Sequence, residues 1–72
     1  MKIFDAADFG KAVKARRKEL GYTQKYLSDF TGYSTSFISE LENGKPTIEL
    51  ERALRIANLL GLDVLMEVRG KH

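Results

Sequence analysis

The stretch that decides the fold runs from Leu20 to Gly44, LGYTQKYLSDFTGYSTSFISELENG. Its spacing predicts two short helices joined by a tight turn. Thr23 suits an N-cap for a helix over about 24–30, with Leu27 and Phe30 facing inward and Tyr26 partly so. Thr31-Gly32-Tyr33 forms the turn, where glycine allows a backbone conformation that a Cβ penalises. Ser34 caps a second helix over about 35–42. Phe37, Ile38 and Leu41 make its inner stripe, which leaves Thr35, Ser36, Ser39, Glu40 and Asn43 outside. A second helix with a small, polar outer face is what a helix-turn-helix inserts into the DNA major groove.

Working outward, Asp5 is the expected N-cap of an upstream helix, and Asp8 favours its positive end. Phe4 and Phe9 occupy the two positions of a hydrophobic staple. Phe9, Ala12, Val13, Arg16 and Leu20 follow helical spacing, and Gly21 ends the helix. Downstream, Gly44-Lys45-Pro46 is a loop that Pro46 prevents from continuing as helix. Thr47 or Glu49 then caps a further helix. Leu50, Ala53, Leu54, Ala57 and Leu60 give it an apolar stripe, widened by Ile56 and Leu59, and Gly61 ends it.

The period changes after Gly61. Residues 63–69 alternate as a strand, with Val64, Met66 and Val68 on one side. A lone strand in a helical domain is not stable in water. The economical solution is an antiparallel ribbon with the same strand of a second copy, in which Val64, Leu65, Met66 and Val68 make the dimer contact. A short fifth helix packed on the bundle is the alternative. Gly70, Lys71 and His72 read as a frayed tail. The expected fold is therefore an all-α helix-turn-helix bundle of four to five helices over 1–62, followed by a dimerisation strand and tail over 63–72.

Composition narrows the function classes. Seventy-two residues make one domain, and so short a chain has a marginal core. There is no Cys to supply a disulfide or a thiolate metal site. The apolar runs are far shorter than a membrane span, and the start of the chain lacks the apolar core of a signal peptide. A soluble, cytoplasmic, nucleoid-associated protein is expected, with no membrane partner. The formal net charge is +2. Residues 1–20 hold six basic and three acidic groups, for +3, while residues 21–45 hold two and three, for −1. The basic cluster Lys11, Lys14, Arg16, Arg17 and Lys18 is either a phosphate-facing patch or a solvated helix face.

The chemistry points to DNA rather than to a reaction. Thr35 and Ser36 begin the second helix of the motif, and Ser39 and Glu40 follow one turn later. Hydroxyls can donate to or accept from several bases, and a carboxylate accepts from the cytosine amino group. None of the four is Arg or Gln, so DNA shape is expected to share in the reading. Thr23, Gln24 and Ser34 stand at helix N-termini, where backbone N–H groups favour phosphate. Asn43 and Lys45 follow the second helix and are further phosphate candidates. Thr23 and Ser34 also serve as plain caps, and Asn43 as a C-cap. Arg17 and Glu42 are expected to pair and fix the helix angle, a structural role. A catalytic site is not expected: the lone His is residue 72, and there is no Gly-rich phosphate loop and no metal-ligand spacing. No cofactor, metal or small-molecule substrate is implied.

The runs RRKELGYTQKYL and GYSTSFISELENGK resemble the helix-turn-helix domain of the Cro and phage-repressor (XRE) family over residues 9–62. Ser28 stands where the family usually has Ala. The longer pattern FISELENGKPTIEL, then LRIANLLGLDV and a terminal strand, is similar to HipB-type antitoxins. That resemblance implies a small dimeric repressor whose terminal strands pair across the dimer. It also implies a palindromic operator upstream of a toxin operon, and a HipA-type serine/threonine kinase toxin as partner. By the resemblance to the wider Cro and phage-repressor family, Gln24, Thr35, Ser36, Ser39, Glu40, Asn43 and Lys45 match DNA-contacting positions. Two other functions fit the sequence: a stand-alone regulator of the same family, and a toxin-neutralising interaction module that does not bind DNA.

Overall fold

The computed structural model describes residues 1–70. It contains four helices, α1 (Ala6–Glu19), α2 (Gln24–Thr31), α3 (Thr35–Glu42) and α4 (Leu50–Leu59). Each starts where a side-chain oxygen satisfies N–H groups that the first turn leaves without partners. Asp5 accepts from Asp8 N–H at 2.8 Å, Thr23 from Tyr26 N–H at 3.0 Å and Ser34 from Phe37 N–H at 3.0 Å. Glu49, rather than Thr47, caps α4, accepting from Glu51 and Arg52 N–H at 3.0 and 3.2 Å. At the first cap Asp8 answers back by accepting from Phe4 N–H at 3.0 Å.

The core is small and aliphatic. Val13, Leu27, Ile38, Leu41, Ala53, Ile56 and Leu60 form one buried cluster, with Phe9, Leu20, Tyr22, Tyr33, Phe37 and Ile48 packed around its rim. Every helix contributes, so none can leave without exposing the others' apolar faces. The tightest approach lies between α1 and α3. A Cβ on Gly10 would sit 2.3 Å from the carbonyl oxygen of Leu41 and 2.7 Å from that of Glu42. Gly44, at φ 80°, plays the reciprocal part after α3, since a Cβ there would meet Ala7 Cα at 2.7 Å. The two glycines let α1 lie directly on the end of α3.

Several sequence expectations are corrected. Phe30 is 58% exposed instead of buried. The inner face of α2 runs through Leu27 and on to Thr31, whose hydroxyl donates to the Leu27 carbonyl at 2.8 Å. Phe30 lies instead over Tyr26, with ring centroids 6.3 Å apart and planes within 3°. Phe4 is also exposed, so hydrogen bonds rather than a staple hold the start of α1. On α4, Leu50 and Leu59 are exposed, and the buried stripe is Ala53, Ile56, Ala57 and Leu60.

Among the described residues there is no fifth helix and no strand. Residues 62–69 carry no regular secondary structure, and Val64, Leu65, Met66 and Val68 are all exposed. A strand exists through hydrogen bonds to a neighbouring strand, and the bundle offers this segment none. Of the tail expected at 70–72, residues 71 and 72 lie outside the described residues. No helix among the described residues is long and apolar enough to cross a membrane.

Gly10 gives a test of sign. In an open helix, Gly→Ala stabilises by up to about 1 kcal/mol. Here Gly10→Ala forces α1 off α3, and the expected result is a net loss of about 1–3 kcal/mol. For a domain of this size that lowers Tm by roughly 5–20 °C, readable by circular dichroism. An unchanged or raised Tm would contradict the close α1–α3 contact.

Candidate nucleic-acid interface

The surface of the motif is held from beneath by a buried ion pair. Arg17, from α1, donates through Nε to Glu42 Oε2 at 2.6 Å and through Nη2 to Glu42 Oε1 at 2.9 Å. The remaining guanidinium nitrogen, Nη1, donates to the Tyr22 carbonyl at 2.8 Å. Gln24 Nε2 donates to Glu42 Oε1 at 3.0 Å. The Glu42 side chain is 1% exposed and that of Arg17 9%. The Arg17 pKa is raised above its ordinary value, first by the hydrogen bond to Glu42 and then by its charge, against the opposing effect of burial. A planar fork on a carboxylate fixes direction as well as distance. The network thus joins α1, the entry to α2 and the end of α3.

The turn between α2 and α3 is closed by hydroxyls. Gly32 N–H donates to the Ser28 carbonyl at 2.9 Å, with Gly32 at φ 80°. The Ser28 hydroxyl donates to the Tyr33 carbonyl at 2.6 Å. Tyr33 N–H donates to the Thr31 hydroxyl at 3.2 Å. Arg52, from α4, lies 5.7 Å from the Tyr33 ring centroid and braces the turn from outside.

On the outer surface, Thr35, Ser36, Ser39 and Glu40 line one shallow depression, and Gln24 completes it. Thr23 and Ser34 stand at the starts of α2 and α3 with their oxygens engaged in capping. Asn43 is the C-cap of α3, and its amide lies 3.4 Å from the Ser39 hydroxyl. Lys45 Nζ is 3.3 Å from Glu40 Oε2. Two contacts escaped sequence reading, Gln24 to Glu42 and Lys45 to Glu40. The first crosses from the start of α2 to the end of α3, where no local spacing signals it, and the second closes the turn after α3, where Lys45 N–H also donates to the Glu40 carbonyl. Gly10 was also missed, although a glycine inside a helical pattern is itself a signal of close approach.

The basic cluster of α1 divides. Arg17 is buried, and Arg16 donates to the Leu60 carbonyl at 2.8 Å and pairs with Glu19 at 2.6 Å. Lys11, Lys14 and Lys18 are exposed, away from the buried Gly10, Val13 and Arg17 that face α3. Val64, Leu65, Met66 and Val68 contribute nothing to the depression. Among the described residues, no group of three or more His, Cys, Asp or Glu side chains could hold a metal ion.

This arrangement, with its capped helices, glycine turn and polar depression, has counterparts in known proteins. The helix-turn-helix family profile matches residues 13–65. The chain belongs to the XRE-type helix-turn-helix family of transcriptional regulators. It is 35% identical over 71 residues to the HTH-type transcriptional regulator y4mF of Sinorhizobium fredii, covering 99% of this chain and 93% of that protein. Among solved structures it is similar to HipB in a HipB–O4 20mer complex, with TM-score 0.86 and 26% identity. That match covers 97% of this chain and 99% of the other. A HipA–HipB–O2–O3 complex matches with the same score, identity and coverage. As a helix-turn-helix protein it is a DNA-binding regulator, and relatives are named as transcriptional regulators.

The ion pair can be tested by a double-mutant cycle. Glu42→Leu alone strands a buried guanidinium and is expected to cost about 3–5 kcal/mol. Arg17→Met with Glu42→Leu removes both charges and is expected to recover most of that loss. Denaturant unfolding of the two single variants and the double variant reads the coupling. Additive losses would mean that the two charges do not depend on each other.

Proposed function

We propose that this protein is a dimeric, sequence-specific repressor that acts as the antitoxin and autorepressor of a HipA-type kinase toxin operon. The observation that carries this reading is the extent of the structural likeness. The matches to HipB on a 20mer and to HipB with HipA cover 97% of this chain, beyond the family region of 13–65. The partners on this reading are a palindromic duplex operator, a second copy of the chain, and the kinase.

On this reading Thr35, Ser36, Ser39 and Glu40 meet base edges. Thr23, Gln24, Ser34, Asn43 and Lys45 meet phosphates on either side. The depression that Thr35, Ser36, Ser39 and Glu40 line together supports their acting on one face. Residues 1–62 serve as the DNA-binding domain. Residues 63–72 serve as the dimerisation arm, in which Val64, Leu65, Met66 and Val68 bury against the same segment of the partner. Four exposed apolar side chains in one short run support this, because monomers rarely leave such a run in water. A stand-alone regulator is the second reading, favoured by the likeness to y4mF over nearly its whole length. Co-purification with a kinase encoded beside this gene separates the two.

Two outcomes are expected. A footprint on the DNA upstream of its own gene shows paired protected blocks about one helical turn apart that persist at physiological salt. Diffuse protection that disappears with salt would leave charge-driven binding alone. Deletion of residues 63–72 gives a monomer by sedimentation equilibrium with its helical circular dichroism retained. A truncated chain that still dimerises would overturn the role of the arm.

A further inference from the structure

We propose that Glu40 makes the phosphate contact of Lys45 conditional on a base that donates a hydrogen bond, cytosine above all. This inference rests on the DNA-reading function proposed above. Glu40 Oε2 and Lys45 Nζ are 3.3 Å apart, and the two side chains are 50% and 46% exposed. Their backbones are tied as well, since Lys45 N–H donates to the Glu40 carbonyl at 3.0 Å. Glu40 is the single carboxylate in the lining of the depression, beside the neutral Gln24, Thr35, Ser36 and Ser39. A negative group therefore stands on the surface offered to a polyanion, and the cation beside it is the one assigned to a phosphate.

The two groups have competing demands. In the unbound protein Lys45 neutralises Glu40, and an exposed pair of this kind opens at small cost. As the duplex docks, a phosphate competes for the ammonium. If Lys45 moves to the phosphate, Glu40 loses its counter-charge while the groove excludes water. A desolvated carboxylate without a donor is strongly unfavourable. In the major groove the donors are cytosine N4–H and adenine N6–H, whereas guanine and thymine present acceptors at their edges. Adenine places the N7 acceptor beside its amine, which repels a carboxylate, and cytosine does not.

At cytosine, then, Glu40 is satisfied by the base and Lys45 is released to the backbone. Opposite guanine or thymine, Lys45 stays with Glu40 and the phosphate contact is lost. One ion pair thereby turns a sequence-blind contact into a sequence-dependent one. Glu40 acts as a specificity residue chiefly by rejecting wrong bases, at some cost in affinity for DNA at large.

The test is selection of duplexes from a random-sequence pool with the full-length chain and with Glu40→Gln, followed by salt titration. For the unsubstituted chain, each half-site should contain one position dominated by cytosine. Changing that cytosine to guanine should weaken binding about tenfold or more. It should also lower the salt slope by about one unit per half-site, as a lysine–phosphate contact is lost. Glu40→Gln should bind the unselected pool more tightly, lose the cytosine preference or move it to adenine, and show one salt slope on both duplexes. Because both side chains are half-exposed, Tm should not move. The proposal is overturned if Glu40→Gln selects the same base with the same affinity. It is equally overturned if the unsubstituted chain shows equal salt slopes on matched and mismatched duplexes. A chain that enriches no sequence at all would instead remove the DNA-reading function on which this proposal stands.

Discussion

The buried pair of Arg17 and Glu42 is the constraint from which the geometry of the motif follows. Three of the contacts that set α3 in place converge on one carboxylate: two from the guanidinium and one from Gln24. The guanidinium also holds the Tyr22 carbonyl just ahead of the α2 cap. Taking such charges out of water is costly, and a well-packed apolar pair of similar volume is often no less stable. What an apolar pair lacks is direction. A bidentate fork accepts one approach of α1 to α3, whereas aliphatic side chains tolerate several. The pair is best understood as setting an angle.

Gly10 acts on the same junction through sterics. The α1 backbone comes so close to the last carbonyls of α3 that a single methyl group does not fit. Charge and shape therefore specify the same crossing independently. This matters because the outward side chains Thr35, Ser36 and Ser39 are short. A short side chain cannot compensate for a misplaced helix axis, as a long Arg or Gln can. Precision behind the helix substitutes for reach in front of it.

Much of this was legible in the sequence, and the limits have physical causes. Asp5, Thr23 and Ser34 announce helix starts because their oxygens must serve the first-turn N–H groups, and they do so. Phe30 was misplaced because α2 is only eight residues long. Positions i+3 and i+4 from Leu27 are both compatible with its inner face, and it is Thr31 that lies half-buried there while Phe30 is exposed. Leu50 and Leu59 belong to the same ambiguity at the two ends of α4. The pairing of Arg17 with Glu42 could be anticipated from two unlike charges at a helix junction. The Gln24 contact could not, because it is decided by how α2 and α3 meet in space, and the Lys45 contact depends on how the chain turns after α3. For residues 63–69 the alternation describes only what the segment could pair with, and among the described residues the bundle holds no strand to pair with it.

The rim of the core also determines how the molecule can be observed. The chain has three tyrosines and no tryptophan. Tyr22 precedes α2, Tyr26 lies on it and stacks with Phe30, and Tyr33 closes the turn under Arg52. Tyr22 and Tyr26 are in ring contact at 4.7 Å, and Tyr33 packs on Phe37 at 5.5 Å. All of the strong near-ultraviolet chromophores thus surround the helix-turn-helix. Tyrosine emission therefore reports chiefly on that element, so the native chain carries its own spectroscopic label for movement of the turn, with no dye attached.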